Sequence, residues 1–356
     1  MRVFVLNTGG TMGMIGKPLR PAKSAGDLMR GIRAPRGIEL ALSNYRRLYD
    51  STNVKIFDRV EMASMIETVY DEHDAFIVLH GTDTLAETAA TLCMVFKTLL
   101  QKPLFVIGAQ MTKDESGSEV RMQIENTLRV AEAFCRHEIV GVYNVCMGEV
   151  WDGSRLVKRC ESDYMAFYTP GRFPVARVGP TVSLRQGLRQ RDPVLAVQGL
   201  GRGLLPNLLF ERRVCTIAVS ADTPPWVLLA EARAKKHRLR GFILECKGAG
   251  NIPDRKWDKD YPHSWIEAIR IATNAGIHVG ILSPFDDGRV ILDRYELGQK
   301  AKRAGALSLE SLTSPMADVK FRHAIAVCRD DPAKIQEFIS TNIVGELLHA
   351  LEAEVS

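Results

Sequence analysis

The sequence predicts an α/β protein built on parallel β-sheet, and three observations carry that reading. Short apolar strands alternate with amphipathic helices. Two of the strands end in Gly-Thr turns. The alternation stops near the middle of the chain and then resumes. The first strand is "VFVLN" (3–7), which breaks into Asn7-Thr8-Gly9-Gly10-Thr11. The second, "AFIVLH" (75–80), runs into "GTDT" and a helix whose Leu85, Ala89, Leu92, Val95 and Leu99 recur at helical spacing. The strand "PLFVIGAQ" (103–110), a helix through 119–135 and the strand "IVGVYNVCMG" (139–148) follow. Buried apolar strands separated by helices describe a parallel sheet covered on both faces. Such sheets bind ligands at the carboxyl ends of their strands, where both Gly-Thr turns fall.

Between residues 186 and 212 the chain is rich in Gly, Arg and Pro and reads as a connection with room for a short hairpin. The α/β pattern then returns: a strand at 214–220, a helix near 225–236, a strand at 241–251, a helix near 263–275, a strand at 278–284 and C-terminal helices. The expected organisation is a domain over 1–190, a linker over 191–213 and a second α/β domain over 214–356. A chain of 356 residues suits two cores better than one.

Apolar residues make up 46% of the chain and charged residues 25%, as in a water-soluble globular protein. Val3–Leu6 is a strand-length run rather than a signal-peptide core, and no stretch reads as a membrane span. The seven cysteines (Cys93, Cys135, Cys146, Cys160, Cys215, Cys246 and Cys328) are scattered and form no C-x-x-C pair. That spacing fits neither a disulfide framework nor a structural zinc site, and is that of a cytoplasmic protein. The net charge of +5 gathers partly in Lys17, Arg20, Lys23, Arg30, Arg33 and Arg36 and in "RAKKHRLR" (233–240). No nucleic-acid module accompanies either run, so they read as solvated faces and no nucleic-acid partner is expected.

The chemistry-bearing residues cluster in three places. Thr11 follows two glycines, which allow close approach of the backbone to another group, and carries a hydroxyl that a base can activate. "HGTDT" (80–84) sets two hydroxyls and a carboxylate at the start of a helix. Capping of that helix would account for one of Thr82, Asp83 and Thr84, and poorly for all three. "WDGSRLVKRCESDYMAF" (151–167) carries Lys158, an ordinary surface lysine unless it is held near a threonine hydroxyl, where it can help remove a proton.

"NTGGTMGM" and "LHGTDTLAETA", in this order and about seventy residues apart, resemble the two signature motifs of bacterial-type L-asparaginases, and most the cytoplasmic type I branch. "VIGAQ" (106–110), "SRLVK" (154–158), "GAGNIP" (248–253) and "STNIVGEL" (340–347) fall where that family has similar stretches. The resemblance implies a large parallel-sheet N-terminal domain and a smaller α/β C-terminal domain. It also implies a homodimer or homotetramer with active sites completed by a neighbouring subunit, and neither cofactor nor metal. Thr11 matches the nucleophile. Thr82, Asp83 and Lys158 match a second cluster that activates a hydroxyl or water, and Asp83 also the group that takes the substrate α-ammonium. Asn251 matches the neighbour's contribution to substrate binding.

Three departures stand out. Leu19 occupies the position of a tyrosine that assists the nucleophile in most members, while Tyr295 matches a tyrosine that some type I members supply from the neighbouring subunit. An amphipathic tyrosine at a subunit interface explains Tyr295 equally well. "DRVEM" (58–62), set against the family's Asp-Ser-Ser-Asp-Met, puts Arg59 where a serine binds the substrate α-carboxylate, and Arg59 is expected to grip that carboxylate instead, a surface ion pair being its alternative. "LSPF" (282–285) lacks a Thr-Gln-Cys stretch tied to allosteric control. The sequence therefore reads as an amidohydrolase, an L-asparaginase first. Action on glutamine or a larger amide, an ammonia-supplying amidotransferase subunit and a non-catalytic ligand-binding relative are the alternatives. The amidotransferase subunit usually has a further N-terminal domain, and a first strand starting at residue 2 weighs against it.

Overall fold

The computed structural model describes residues 1–198, 210–234, 239–256, 258–259 and 262–348. The chain divides into two compact units, Met1–Asn207 and Leu208–Ser356. The first contains β1 (Arg2–Gly9), β2 (Met14–Ile15), β3 (Arg20–Pro21), α1 (Ala25–Met29), β4 (Glu39–Tyr49), α2 (Ile56–Thr68), β5 (Ala75–Leu79), α3 (Leu85–Phe96), β6 (Pro103–Ile107) and α4 (Val120–Arg136). It continues with β7 (Gly141–Cys146), β8 (Glu149–Asp152), β9 (Val157–Lys158), β10 (Phe167–Tyr168), β11 (Ala176–Val178), β12 (Val182–Leu184) and α5 (Pro193–Gln198). Eight strands form one sheet in the order β12-β11-β8-β7-β6-β5-β1-β4.

Every residue of β5 and β6 is buried, as continuous apolar runs in a doubly covered sheet require. One face packs Val5, Ile77 and Phe105 against Ile124, Leu128 and Ala131 of α4. The helix after the second Gly-Thr turn is less amphipathic than its spacing promised: every residue of α3 except Glu87 is buried. A helix enclosed on all sides needs no polar stripe.

The sheet is mostly parallel but mixed. Strands β4, β1, β5, β6 and β7 run parallel, whereas β8, β11 and β12 add antiparallel at one edge. The reversal is made at Met147-Gly148, both left-handed (φ 48° and 81°), a two-residue hairpin that leaves no length for a crossover helix. Several elements had no counterpart in the sequence reading, among them edge strand β4, with an irregular burial pattern, and α2, with a weak apolar stripe.

The second unit holds β13 (Val214–Ala218), α6 (Trp226–Arg233), β14 (Gly241–Glu245), α7 (Trp265–Asn274), β15 (His278–Leu282), α8 (Glu296–Arg303), β16 (Leu307–Ser308), α9 (Ser314–Val327) and α10 (Pro332–Ser340). Its four parallel strands lie in the order β13-β14-β15-β16. The last expected helix ends at Ser340, and the segment after it is held by a buried ion pair. Lys320 Nζ donates to Ile339 O (2.9 Å), Thr341 O (2.6 Å) and the Glu346 carboxylate (2.6 Å). Residues 349–356 and the middle of the expected connection (199–209) lie outside the described residues. The described part before them carries α5.

The two Gly-Thr turns meet because β1 and β5 are neighbours in register, Asn7 opposite Leu79. A Cβ on Gly10, whose φ is 86°, would stand 2.3 Å from the backbone N and Cα of Gly81. Gly10→Ala should therefore cost at least about 2 kcal/mol or prevent folding. Gly31→Ala, with a similar φ of 79° and open space around it, should cost about 1 kcal/mol. Urea unfolding compares the two, and equal losses would refute the close contact.

Behind the second turn His80 is fully enclosed, its Nδ1 donating to Gly81 O (2.7 Å) and its Nε2 facing Thr88 Oγ1 (3.0 Å). Burial, then the nearby Arg59 charge, push its pKa down to about 4. The unfolded chain takes up this proton near 6.5 and the folded chain only near 4. The stability is thus whole above pH 6.5 and lost as pH falls toward 4, by up to about 3 kcal/mol. His278, lowered mainly by burial, acts in the same direction. Unfolding free energy measured from pH 7 to 4 should fall less steeply for His80→Gln than for wild type, whatever the variant's absolute stability. Parallel slopes would remove His80 from this account.

Candidate active site

Strand β1 delivers Thr11 through a turn whose polar groups are tied down. Thr8 Oγ1 donates to Leu79 O (2.9 Å), and Asn7 Oδ1 accepts from the Gly9 N–H (3.1 Å). Gly10 N–H donates to Tyr49 O (2.9 Å), so the turn is held from both neighbouring strands. Thr11 opens a single 3-10 turn through Gly13 and is half-buried, and its hydroxyl has no hydrogen-bond partner among the described residues. The short β2/β3 hairpin follows it, with Leu19 half exposed at its end.

The second turn directs its three polar side chains away from capping. Thr84 is the residue before α3, but its hydroxyl donates to Ser51 O (2.7 Å). Lys158 Nζ donates to Thr82 Oγ1 (2.9 Å) and to Asp83 Oδ1 (2.7 Å). Thr82 is buried, the Lys158 side chain is mostly buried, and the Asp83 carboxylate remains half exposed. Lys158 reaches them from a β9/β10 hairpin in which it lies opposite Phe167. The structure thus brings Thr82, Asp83 and Lys158 together.

Arg59 lies on the first turn of α2, 6% exposed, with its charge felt at His80. The segment set against the second Gly-Thr turn is Asp50–Asn53, at the end of β4. A Cβ on Gly81 would come within 2.6 Å of Ser51 Oγ, so glycine there lets Ser51 approach. The Ser51 hydroxyl has no hydrogen-bond partner among the described residues. "DSTN" (50–53) is itself a closer counterpart of the Asp-Ser-Ser-Asp pattern than "DRVEM", and that likeness was the available signal.

Asn251 and Tyr295 belong to the second unit. Asn251 bridges Lys247 after β14. Tyr295 precedes α8, is 45% exposed and has the Arg294 guanidinium over its ring at 5.3 Å. Lys17, Arg20, Arg30, Arg33 and Arg36 are exposed, and Lys23 pairs with Asp114. Of the 233–240 run, residues 235–238 lie outside the described ones. Among the described residues no group of three His, Cys, Asp or Glu could hold a metal, and no helix is long and apolar enough to cross a membrane.

Two family models cover the chain: an asparaginase N-terminal model matches residues 2–190 and a glutaminase/asparaginase C-terminal domain model matches 213–339. The chain is 26% identical over 354 residues to L-asparaginase 1 of Escherichia coli, covering 97% of each. It is 29% identical over 352 residues to the L-asparaginase of Thermococcus kodakarensis, covering 98% of this chain and 99% of that one. The solved structure of the thermostable enzyme from that organism superposes with a TM-score of 0.80 at 26% identity, covering 98% of this chain and all of that one. A glutamyl-tRNA(Gln) amidotransferase subunit from Methanothermobacter thermautotrophicus is 27% identical over 364 residues, covering 97% of this chain and 76% of the relative. With two Gly-Thr turns joined at a glycine contact, a lysine on the second of them and both units matched, this chain belongs to the asparaginase family of amidohydrolases.

Proposed function

We propose that the chain is an L-asparaginase, converting the side-chain amide of L-asparagine to aspartate and ammonia. One observation carries the reading: Lys158 Nζ lies 2.9 Å from Thr82 Oγ1 and 2.7 Å from Asp83 Oδ1, on a turn that abuts the Thr11 turn. In this scheme the Thr11 hydroxyl, uncommitted to any partner among the described residues, attacks the amide carbonyl. The proton it gives up leaves with the nitrogen as ammonia, and an ester to Thr11 remains. Backbone N–H groups near the two turns stabilise the oxyanion. Water, positioned by Thr82 and Lys158, then cleaves the ester, releasing the carboxylate and restoring the hydroxyl. No step calls on a cofactor.

Recognition of a free amino acid needs a partner for each end. The half-exposed Asp83 carboxylate suits the α-ammonium, and the Ser51 hydroxyl suits the α-carboxylate. Asn251 and Tyr295 would complete the site of a second copy of the chain in a homo-oligomer. The amidotransferase relative supports a second reading, in which the amide released is glutamine's or lies in a larger molecule.

Ammonia release from a panel of amides tests both readings. Asparagine should be the best substrate, and better turnover of glutamine or of a larger amide would select the second. Thr11→Val should abolish release while melting near the wild-type temperature. Lys158→Met should lower kcat at least about a hundredfold, as loss of an acid–base group does. Ammonia release close to wild type from either variant would overturn the assignment.

The two candidates for the carboxylate separate kinetically. Ser51→Ala should raise KM for asparagine about tenfold, the worth of a hydrogen bond to a charged group, with kcat little changed. Arg59→Ala should instead lower stability, because it empties a buried position beneath the second turn. A KM effect confined to Arg59→Ala would return the carboxylate to Arg59.

A further inference from the structure

We propose that Gln110 is a positioning residue that sets the direction of the Thr82 hydroxyl, and that buried Glu119 holds it in register; this rests on the reading of Thr82 and Lys158 given above. Thr82 Oγ1 has one proton and two lone pairs. It accepts from Lys158 Nζ (2.9 Å) and lies 3.2 Å from Gln110 Oε1. The amide orientation follows from its other end: Nε2 faces the carbonyls of Asp163 (3.3 Å) and Cys160 (3.4 Å), which only accept. The oxygen therefore faces Thr82, and Thr82 must donate to it. The hydroxyl proton points at Gln110, and its lone pairs point at the lysine.

The backbone of Gln110 is fixed as well. Its N–H donates to one oxygen of Glu119, which is 4% exposed at the start of α4, while the other oxygen is buried without a hydrogen-bond partner among the described residues. A carboxylate so enclosed costs stability, and its hydrogen bond to the Gln110 N–H is the role that accounts for it. The same segment reaches the other catalytic elements. Lys113 N–H donates to Met12 O (3.1 Å), next to Thr11, and Asp114 pairs with Lys23. Tyr164, on the loop after Lys158, sets its hydroxyl 2.8 Å from Met111 Sδ and 3.2 Å from Gly117 O. Residues 110–119 thus touch the Thr11 turn, the Thr82 turn and the Lys158 loop, and Gln110 is the point at which the segment meets the reacting groups.

The orientation matters for proton transfer. While Lys158 donates to it, Thr82 can only accept from the lysine, and Gln110 provides the outlet for the hydroxyl proton. A rotation about the Thr82 Cβ–Oγ bond turns that proton away from Gln110 and toward Nζ. Without Gln110 the hydroxyl loses its acceptor, and a carboxylate at this position would add a negative charge beside the lysine.

Two measurements test this. In protein labelled with ¹⁵N-glutamine, the Gln110 side-chain amide should shift and exchange faster in Thr82→Val than in wild type. This readout needs no turnover, and an unchanged signal would overturn the coupling even if the enzyme acts on no amide tested. In the active enzyme Gln110→Met should lower kcat about tenfold with KM within about threefold, the order typical of groups that orient a catalytic side chain. Gln110→Glu should move the acidic limb of the pH–rate profile to higher pH, and Glu119→Leu, which removes the acceptor of the Gln110 N–H, should lower kcat in the same way as Gln110→Met. Equal kcat and an unmoved profile in both Gln110 variants would reject the proposal. Loss of ammonia release in the wild type itself, with the amide signal coupled, would reject the reaction and leave the Gln110–Thr82 contact standing.

Discussion

The contact between Gly10 and Gly81 is the constraint on which the site depends. Neighbouring parallel strands in register end at the same level, so the turns that follow β1 and β5 must either collide or be made of glycine. With glycine on both sides the backbones touch, and a threonine stands one residue beyond the contact in each turn. The turns are held by this contact and by Thr8 and Thr84, not by Thr11 or Thr82, whose hydroxyls are left for the proposed chemistry. A third glycine, Gly108 at the end of β6, extends the arrangement: a Cβ there would press on Thr82 Cγ2 and His80 O at 3.0 Å. The sheet's geometry, more than any polar interaction, decides how near the proposed catalytic groups come.

Stability alone does not explain the charges. The Asp83 side chain in the pair with Lys158 is 53% exposed, and an ion pair so open to water contributes about 1 kcal/mol at most. Lys158 nevertheless sits on a two-residue strand, pinned by β10 and by Arg159 N–H donating to Ala166 O (2.8 Å). Ordering a lysine this tightly for so small a return is understandable where the ammonium must meet a hydroxyl and a carboxylate together. The buried Lys320–Glu346 pair has the opposite character. Both side chains are fully enclosed and make further hydrogen bonds to backbone groups, so that pair shapes a segment rather than a reaction.

Much of this was legible in the sequence because it rests on local signals. Apolar runs marked β1, β5, β6 and β7, and the Gly-Thr turns marked where β1 and β5 end. Lys158 was legible through "SRLVK". What was not legible lay where local signals fail. Strand β4 borders the sheet, alternates irregularly between exposed and half-buried residues and carries Arg46 and Arg47, so it has neither an apolar run nor a clean period of two. Missing it hid the turn at its end, so Ser51 was passed over and only Arg59 was set against the serine pattern. The antiparallel edge was missed for a related reason, since a two-residue hairpin between β7 and β8 looks like the interior of one strand.

Chemistry and recognition are therefore encoded differently in this chain. Thr11 and Thr82, proposed to cleave the amide, follow buried parallel strands whose positions the core fixes. Of the groups proposed to recognise its bearer, Asp83 shares the second of these turns, while Ser51 lies on an edge-strand turn and Asn251 and Tyr295 lie in the second unit. Core positions tolerate little change, because a shift in one strand moves its neighbours' register. Edge turns and hairpins tolerate a great deal. A protein can thus keep Thr11, Thr82, Asp83 and Lys158 while the residues around Ser51 and Leu19 vary, and relatives of similar identity can act on different amides. The hydroxyl of Ser51 beside Gly81 is where the two kinds of residue meet. It belongs to a loop, yet the glycine contact below it fixes its place as firmly as that of the threonines.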